Sequence, residues 1–109
     1  MKLLVVAAAT SLMIAPSPPF PPPKLIGVTP DTKCDWGPIN ENKSSVLVVQ
    51  TDAGPFEVQI GSNARFAGLD GKPLASRGDL RTGQKVRVYY LVDNRVGGGA
   101  KAQEIDLIP

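Results

Sequence analysis

From Lys85 to Val92 the chain reads Lys-Val-Arg-Val-Tyr-Tyr-Leu-Val, and its side chains fall into two alternating sets. Val86, Val88, Tyr90 and Val92 lie on one side; Lys85, Arg87, Tyr89 and Leu91 lie on the other. A period of two in β-branched and aromatic residues specifies a half-buried strand. It excludes an amphipathic helix, whose apolar positions recur every three or four residues. A turn centred on Thr82-Gly83 feeds the strand. One wet face and one dry face require partner strands, so the remaining segments are read as those partners.

The composition agrees with a small β domain. The chain has 109 residues, with 11 glycines and 11 prolines, enough for one core and for many turns. A net charge of +2 is too weak to mark a nucleic-acid binder. The chain contains no histidine. That removes the commonest general base near neutral pH, the commonest metal ligand, and every Ser-His-Asp or Cys-His site. Cys34 is the single cysteine, so no intramolecular disulfide can form.

The N-terminus reads as an export signal. Met1-Lys2 precedes an apolar run from Leu3 to Ala15, broken only by Thr10 and Ser11. The run is shorter than the roughly 20 residues a bilayer-spanning helix needs, and it has the length of a signal-peptide core. Residues 1–15 are therefore expected to direct the protein to the periplasm or cell surface, without a transmembrane span. Six of the eight residues from Pro16 to Pro23 are proline. Such a segment adopts polyproline II and would act as a stiff spacer of about 25 Å. Proline-rich segments also serve as ligands for aromatic grooves; the spacer reading is preferred.

The domain proper is expected over residues 24–109. Five strands are assigned, at 24–29, 45–51, 56–60, 84–92 and 99–108. Residues 30–44 are read as a long polar loop carrying the only tryptophan, Trp36. The run Val46-Leu-Val-Val49 is expected to be buried on both faces. It forms a hairpin with Phe56–Ile60 across Asp52-Ala53-Gly54-Pro55. Residues 61–78 are read as an irregular excursion held to the core by Phe66, Leu69 and Leu74. In the last strand the inward set runs Ala100, Ala102, then Ile105 and Leu107. That slip in phase predicts a β-bulge near Gln103-Glu104. Five short strands with the longest excursion between the third and fourth predict an all-β, five-stranded OB-like Greek-key barrel. A β-sandwich or SH3-like barrel is the alternative.

The candidate contact residues are Trp36, Lys85, Arg87 and Tyr89. Trp36 stands in a loop, where contact residues concentrate. The other three share the outward face of the alternating strand. Residues 65–95 hold seven cations against three anions, and residues 24–64 hold three against five, so the basic side of the domain is this one. A basic stripe beside an aromatic is also the outline of a single-stranded nucleic-acid site, although an exported chain is a poor candidate for one. Asp31, Asp35 and Glu41 match no calcium loop. No metal, cofactor or catalytic residue is expected. The partner would be an envelope protein, a glycan or a small ligand.

Gly27-Val28, the hairpin from Val46 to Ile60, Asp79-Leu80-x-x-Gly83-Gln84-x-Val86-x-Val88 and the ending Ala102-x-x-Ile105 together resemble a family of small exported bacterial domains of unknown function with an OB-like barrel. The resemblance spans residues 24–108. It implies a barrel fold and an envelope location, and it transfers no catalytic residues.

Overall fold

The computed structural model describes residues 20–43, 45–75, 80–95 and 98–109. The signal-like segment 1–15, the first half of the proline spacer and Asp79 lie outside the described residues. Six strands follow in chain order: β1 (Lys33–Asn42), β2 (Val46–Thr51), β3 (Gly54–Gln59), β4 (Arg65–Ala67), β5 (Lys85–Asp93) and β6 (Gly99–Leu107). β1 pairs antiparallel with β5 through Lys33–Pro38 and with β2 through Ile39–Asn42. β2 and β3 form the expected hairpin, and β5 and β6 a second. A parallel bridge between Gln59 of β3 and Lys101 of β6 closes the ring. β1, β2, β3, β6 and β5 thus form a closed Greek-key barrel of OB type, with no helix among the described residues. β4 lies outside the ring, parallel to β6.

The barrel interior is filled by inward residues of the five ring strands, Ile39, Leu47, Val49, Val58, Val86, Val88, Tyr90 and Ile105, together with Ile60 and Leu80 from the adjoining segments. Val48 is also buried, so β2 is covered on both faces as its apolar run requires. Tyr90 brings a hydroxyl into this core and directs it to the Asp35 carboxylate at 2.6 Å. A buried phenol without such an acceptor would be costly. Phe56 packs on the same ring, 4.7 Å between centroids. The bulge forms as the phase slip requires. Tyr89 pairs with Glu104 and Tyr90 with Ala102, leaving Gln103 as the extra residue.

Three sequence assignments are corrected. Residues 24–29 are not a strand, and the first barrel strand is Lys33–Asn42, inside the segment read as a loop. β1 escapes pattern recognition because it pairs with two strands in turn, β5 along its first half and β2 along its second. Only Ile39 is fully buried, and Gly37-Pro38 imitates a turn. At Gly37 the strand crosses so close to β2 that a Cβ would stand 1.8 Å from the Gln50 carbonyl oxygen. Second, the excursion contains a strand, β4, too short for any periodicity to register. Phe66 and Leu74 anchor it as expected, but Leu69 is 62% exposed. Third, Val92 lies beyond the barrel mouth and is exposed.

Gly37→Ala is expected to cost about 3 kcal/mol in urea unfolding, because overpacking here meets backbone rather than a yielding side chain. Gly61 has open space around its Cβ position. Gly61→Ala is expected to change stability by less than ~0.5 kcal/mol.

Candidate functional site

The register of four strands builds two rows on the outer face of the sheet. Paired residues direct their side chains to the same side. Cys34, Tyr89, Glu104 and Arg65 form one row across β1, β5, β6 and β4. Trp36, Arg87, Asp106 and Ala67 form the next. Lys85 follows Arg87 on the same face, opposite Pro38. Three of the four candidate residues, Trp36, Arg87 and Lys85, therefore lie together at the solvent side. Trp36 is 55% exposed and stands directly across from Arg87.

Tyr89 has a different fate. It lies on the outward face as expected, yet it is completely buried, which corrects the reading of a solvent-facing contact residue. Residues 20–26 cross over it as a strap. The Tyr89 hydroxyl donates to the Pro21 carbonyl, and the Phe20 ring meets the Tyr89 ring edge-on at 5.8 Å. Pro23 is buried beneath. The strap then ends on one acceptor, the Glu104 carboxylate. Lys24 donates its amide to Oε2 at 2.8 Å, Ile26 donates to Oε1 at 3.0 Å, and Leu25 reaches both oxygens at 3.1 and 3.2 Å. In a strand successive amides point to opposite sides, so three consecutive amides converging on one carboxylate require a concave nest. That geometry is why 24–29 cannot be the strand its residue types indicate.

Glu104 and Asp106 are both fully buried, two residues apart on β6. Glu104 has its three amides. Asp106 has no hydrogen-bond partner for either carboxylate oxygen among the described residues. Burial, then the neighbouring Glu104, push the Asp106 carboxyl up to about 7, with the Lys24 end of the strap pulling the other way. Burial likewise pushes the Cys34 thiol up to about 11 and the Tyr89 phenol up to about 12; the nearby Arg87 guanidinium opposes both shifts. A thiol held so far above neutrality is a poor nucleophile. Arg95 and Lys101 hold the Asp93 carboxyl well below its ordinary range at the β5–β6 turn. Exposed pairs of this kind contribute little stability.

Beside Trp36 is a shallow depression of about 130 Å³ lined by Asp35, Trp36, Thr51, Asp52 and Ala53. The indole therefore has the turn residue Asp52 on one flank and two cations, Arg87 and Lys85, along the strand pair on the other, while the Asp35 carboxylate turns inward to the Tyr90 hydroxyl. A larger cleft of about 580 Å³ opens where β3 and β6 meet, lined by polar groups that include Ser45, Gln59, Asn63 and Lys101. Among the described residues no cluster of three potential metal ligands forms, and no helix is long and apolar enough to cross a membrane. Comparison of the chain with protein-family models, with characterised proteins and with solved structures returned no match.

Glu104 and Asp106 escaped the sequence reading because both sit on the outward set of β6, where acids are ordinarily solvated. The partners of Glu104 lie some eighty residues away in the strap. The only local signal was the bulge, which turns this Glu-x-Asp pair outward together.

Two outcomes follow from this geometry. The native carboxyl of Asp106 keeps its proton to higher pH than the unfolded chain does. Its contribution to stability is therefore complete below the ordinary carboxylate value of 3.8 and is lost as pH rises toward about 7. Unfolding free energies measured at steps from pH 4 to 8 should fall by at most ~1.4 kcal/mol per pH unit up to neutrality and then level off. Asp106→Asn should remove most of that slope. Glu104→Gln leaves one carbonyl oxygen for three amides. Hydrogen exchange at Lys24, Leu25 and Ile26 should then accelerate about tenfold or more while the β5 and β6 amides keep their protection.

Proposed function

We propose that this chain is a non-catalytic binding module of the cell envelope and that its ligand is a saccharide held against Trp36. One observation carries the reading: an exposed indole on a rigid strand, flanked by Asp52 and by Arg87 and Lys85. A pyranose has an apolar C–H face and a rim of hydroxyls. The indole receives the face, and the Asp52 carboxylate and the Arg87 guanidinium accept and donate to the rim. Placing the site on a strand rather than a loop keeps it preorganised.

The envelope location rests on the apolar run Leu3–Ala15 and on the resemblance to exported barrels. The absence of histidine, the suppressed Cys34 thiol and the burial of Glu104 and Asp106 away from the exposed indole support the non-catalytic reading. Single-stranded nucleic acid, the other reading, needs successive stacking aromatics in a basic groove. Tyr89 is covered by the strap, which leaves one aromatic, and the carboxylate of Asp52 would repel phosphate beside it.

Trp36 is the only tryptophan, so intrinsic fluorescence reports the site directly. Titration with peptidoglycan fragments and envelope oligosaccharides should shift Trp36 emission saturably and with little salt dependence. Trp36→Ala, followed by calorimetry, should weaken binding about tenfold or more, ~1.4 kcal/mol. Tight oligonucleotide binding that collapses with salt would replace this reading with the nucleic-acid one. Saccharide binding unaffected by Trp36→Ala would move the site elsewhere, the β3–β6 cleft first.

A further inference from the structure

We propose that the groove beneath the strap, on the outer face of β5 and β6, is a receptor for extended proline-rich peptides, and that residues 20–26 are its resident occupant. The groove is separate from the Trp36 surface and the proposal does not depend on the saccharide reading. The partner chemistry is an aromatic residue, a short proline run, and then residues with free backbone amides.

The contacts are those of a peptide-recognition site. The groove reads a carbonyl in the proline run through the Tyr89 hydroxyl and three amides after the run through Glu104. It takes two side chains, Phe20 against the Tyr89 ring and Pro23 buried below. No strap side chain makes a hydrogen bond or ion pair among the described residues. Recognition by backbone plus one aromatic and one proline suits polyproline II, whose carbonyls are unpaired and whose conformational entropy is already low. The bent path of Lys24–Ile26 adds directionality, because a proline at any of these three positions would lack the amide Glu104 requires.

The occupant is also separable from the barrel. None of the backbone–backbone hydrogen bonds of the described residues joins residues 20–28 to a strand, so removing the strap breaks no sheet ladder. Beyond Ile26 the chain runs exposed from Gly27 to Asp31 before Thr32 is fixed by Gln103. A tether this short gives the resident segment a high effective concentration, on the order of millimolar. A peptide in trans therefore competes poorly until the resident is weakened.

The probe is a capped synthetic peptide of sequence Phe-Pro-Pro-Pro-Lys-Leu-Ile carrying a C-terminal fluorophore, titrated against the full-length chain by fluorescence polarisation. Phe20→Ala combined with Pro23→Ala weakens the resident without touching the groove, and affinity for the peptide should rise about tenfold or more over the unaltered chain. Adding Glu104→Gln to that variant should abolish the gain. A peptide with alanine at every proline should bind at least tenfold more weakly. Equal binding of the two peptides, or no gain in a strap-weakened chain whose β5 and β6 amides keep their exchange protection, would overturn the proposal. A second measurement needs no variant. Excess peptide added to the unaltered chain should accelerate exchange at Lys24, Leu25 and Ile26 alone, and unchanged exchange at saturating peptide would equally sink the idea.

Discussion

The outer face of this barrel depends on one buried carboxylate. An ionised glutamate removed from water costs several kcal/mol, and it persists only where its oxygens are fully engaged. Glu104 meets that condition with three amides from consecutive residues. Hydrogen bonds to a charged acceptor contribute about 1.5–3 kcal/mol each, so the set offsets desolvation without leaving a large surplus. The result is position rather than raw stability. The strap must lie where its amides converge, and everything beneath it is then sealed: Tyr89 loses contact with solvent, and Asp106 is buried beside its neighbour. Burial also fixes the electrostatic character of the face, raising Asp106, Cys34 and Tyr89 together.

Two aromatics on one sheet face meet opposite ends through this arrangement. Tyr89 and Trp36 occupy adjacent rows, one strand apart. The strap runs across Tyr89 and leaves Trp36 uncovered, so one ring becomes part of the packing and the other remains available for contact. Arg87 stands between the two regimes, across from Trp36 on one side and Asp106 on the other. Its half-buried guanidinium lowers the cost of charge on the sealed side while its neighbour on β1 faces water.

How much of this was legible in the sequence depends on how local each signal is. The strand from Lys85 to Val92, the Val46–Ile60 hairpin and the Gln103 bulge were readable, because period, turn chemistry and phase are written within a few residues. The barrel followed from their number and spacing. β1 was not readable: it changes partners at Gly37-Pro38, so neither half is long enough to alternate, and the need for glycine there appears only once Gln50 is beside it. The same limit hid half of the site. Trp36, Lys85 and Arg87 could be named from residue type and parity, but not that they are neighbours across β1 and β5. Tyr89 was placed on the correct face and assigned the wrong environment, since what covers it comes from the other end of the chain. Residues 24–29 carried strand-like types and adopted a nest instead, because the carboxylate they answer to is eighty residues away.

The excursion between β3 and β5 shows why such sealing needs more than a strap. A strap covers a face from above but cannot close the flank of an edge strand. Without β4, β6 would present Glu104 and Asp106 at an open sheet edge, where water would hydrate both acids. β4 lies alongside, and its register sets Ala67 beside Asp106 and Arg65 beside Glu104. Ala67 is itself completely buried, small enough to let the strands approach and apolar enough to offer Asp106 no partner. Arg65 stays exposed at the end of the Glu104 row. A three-residue strand outside the barrel thus completes the enclosure that pushes the Asp106 carboxyl up. The charge state of this face is therefore set jointly by a strap from the N-terminus, a strand from the central excursion and a bulge in β6, and no single one of them would suffice.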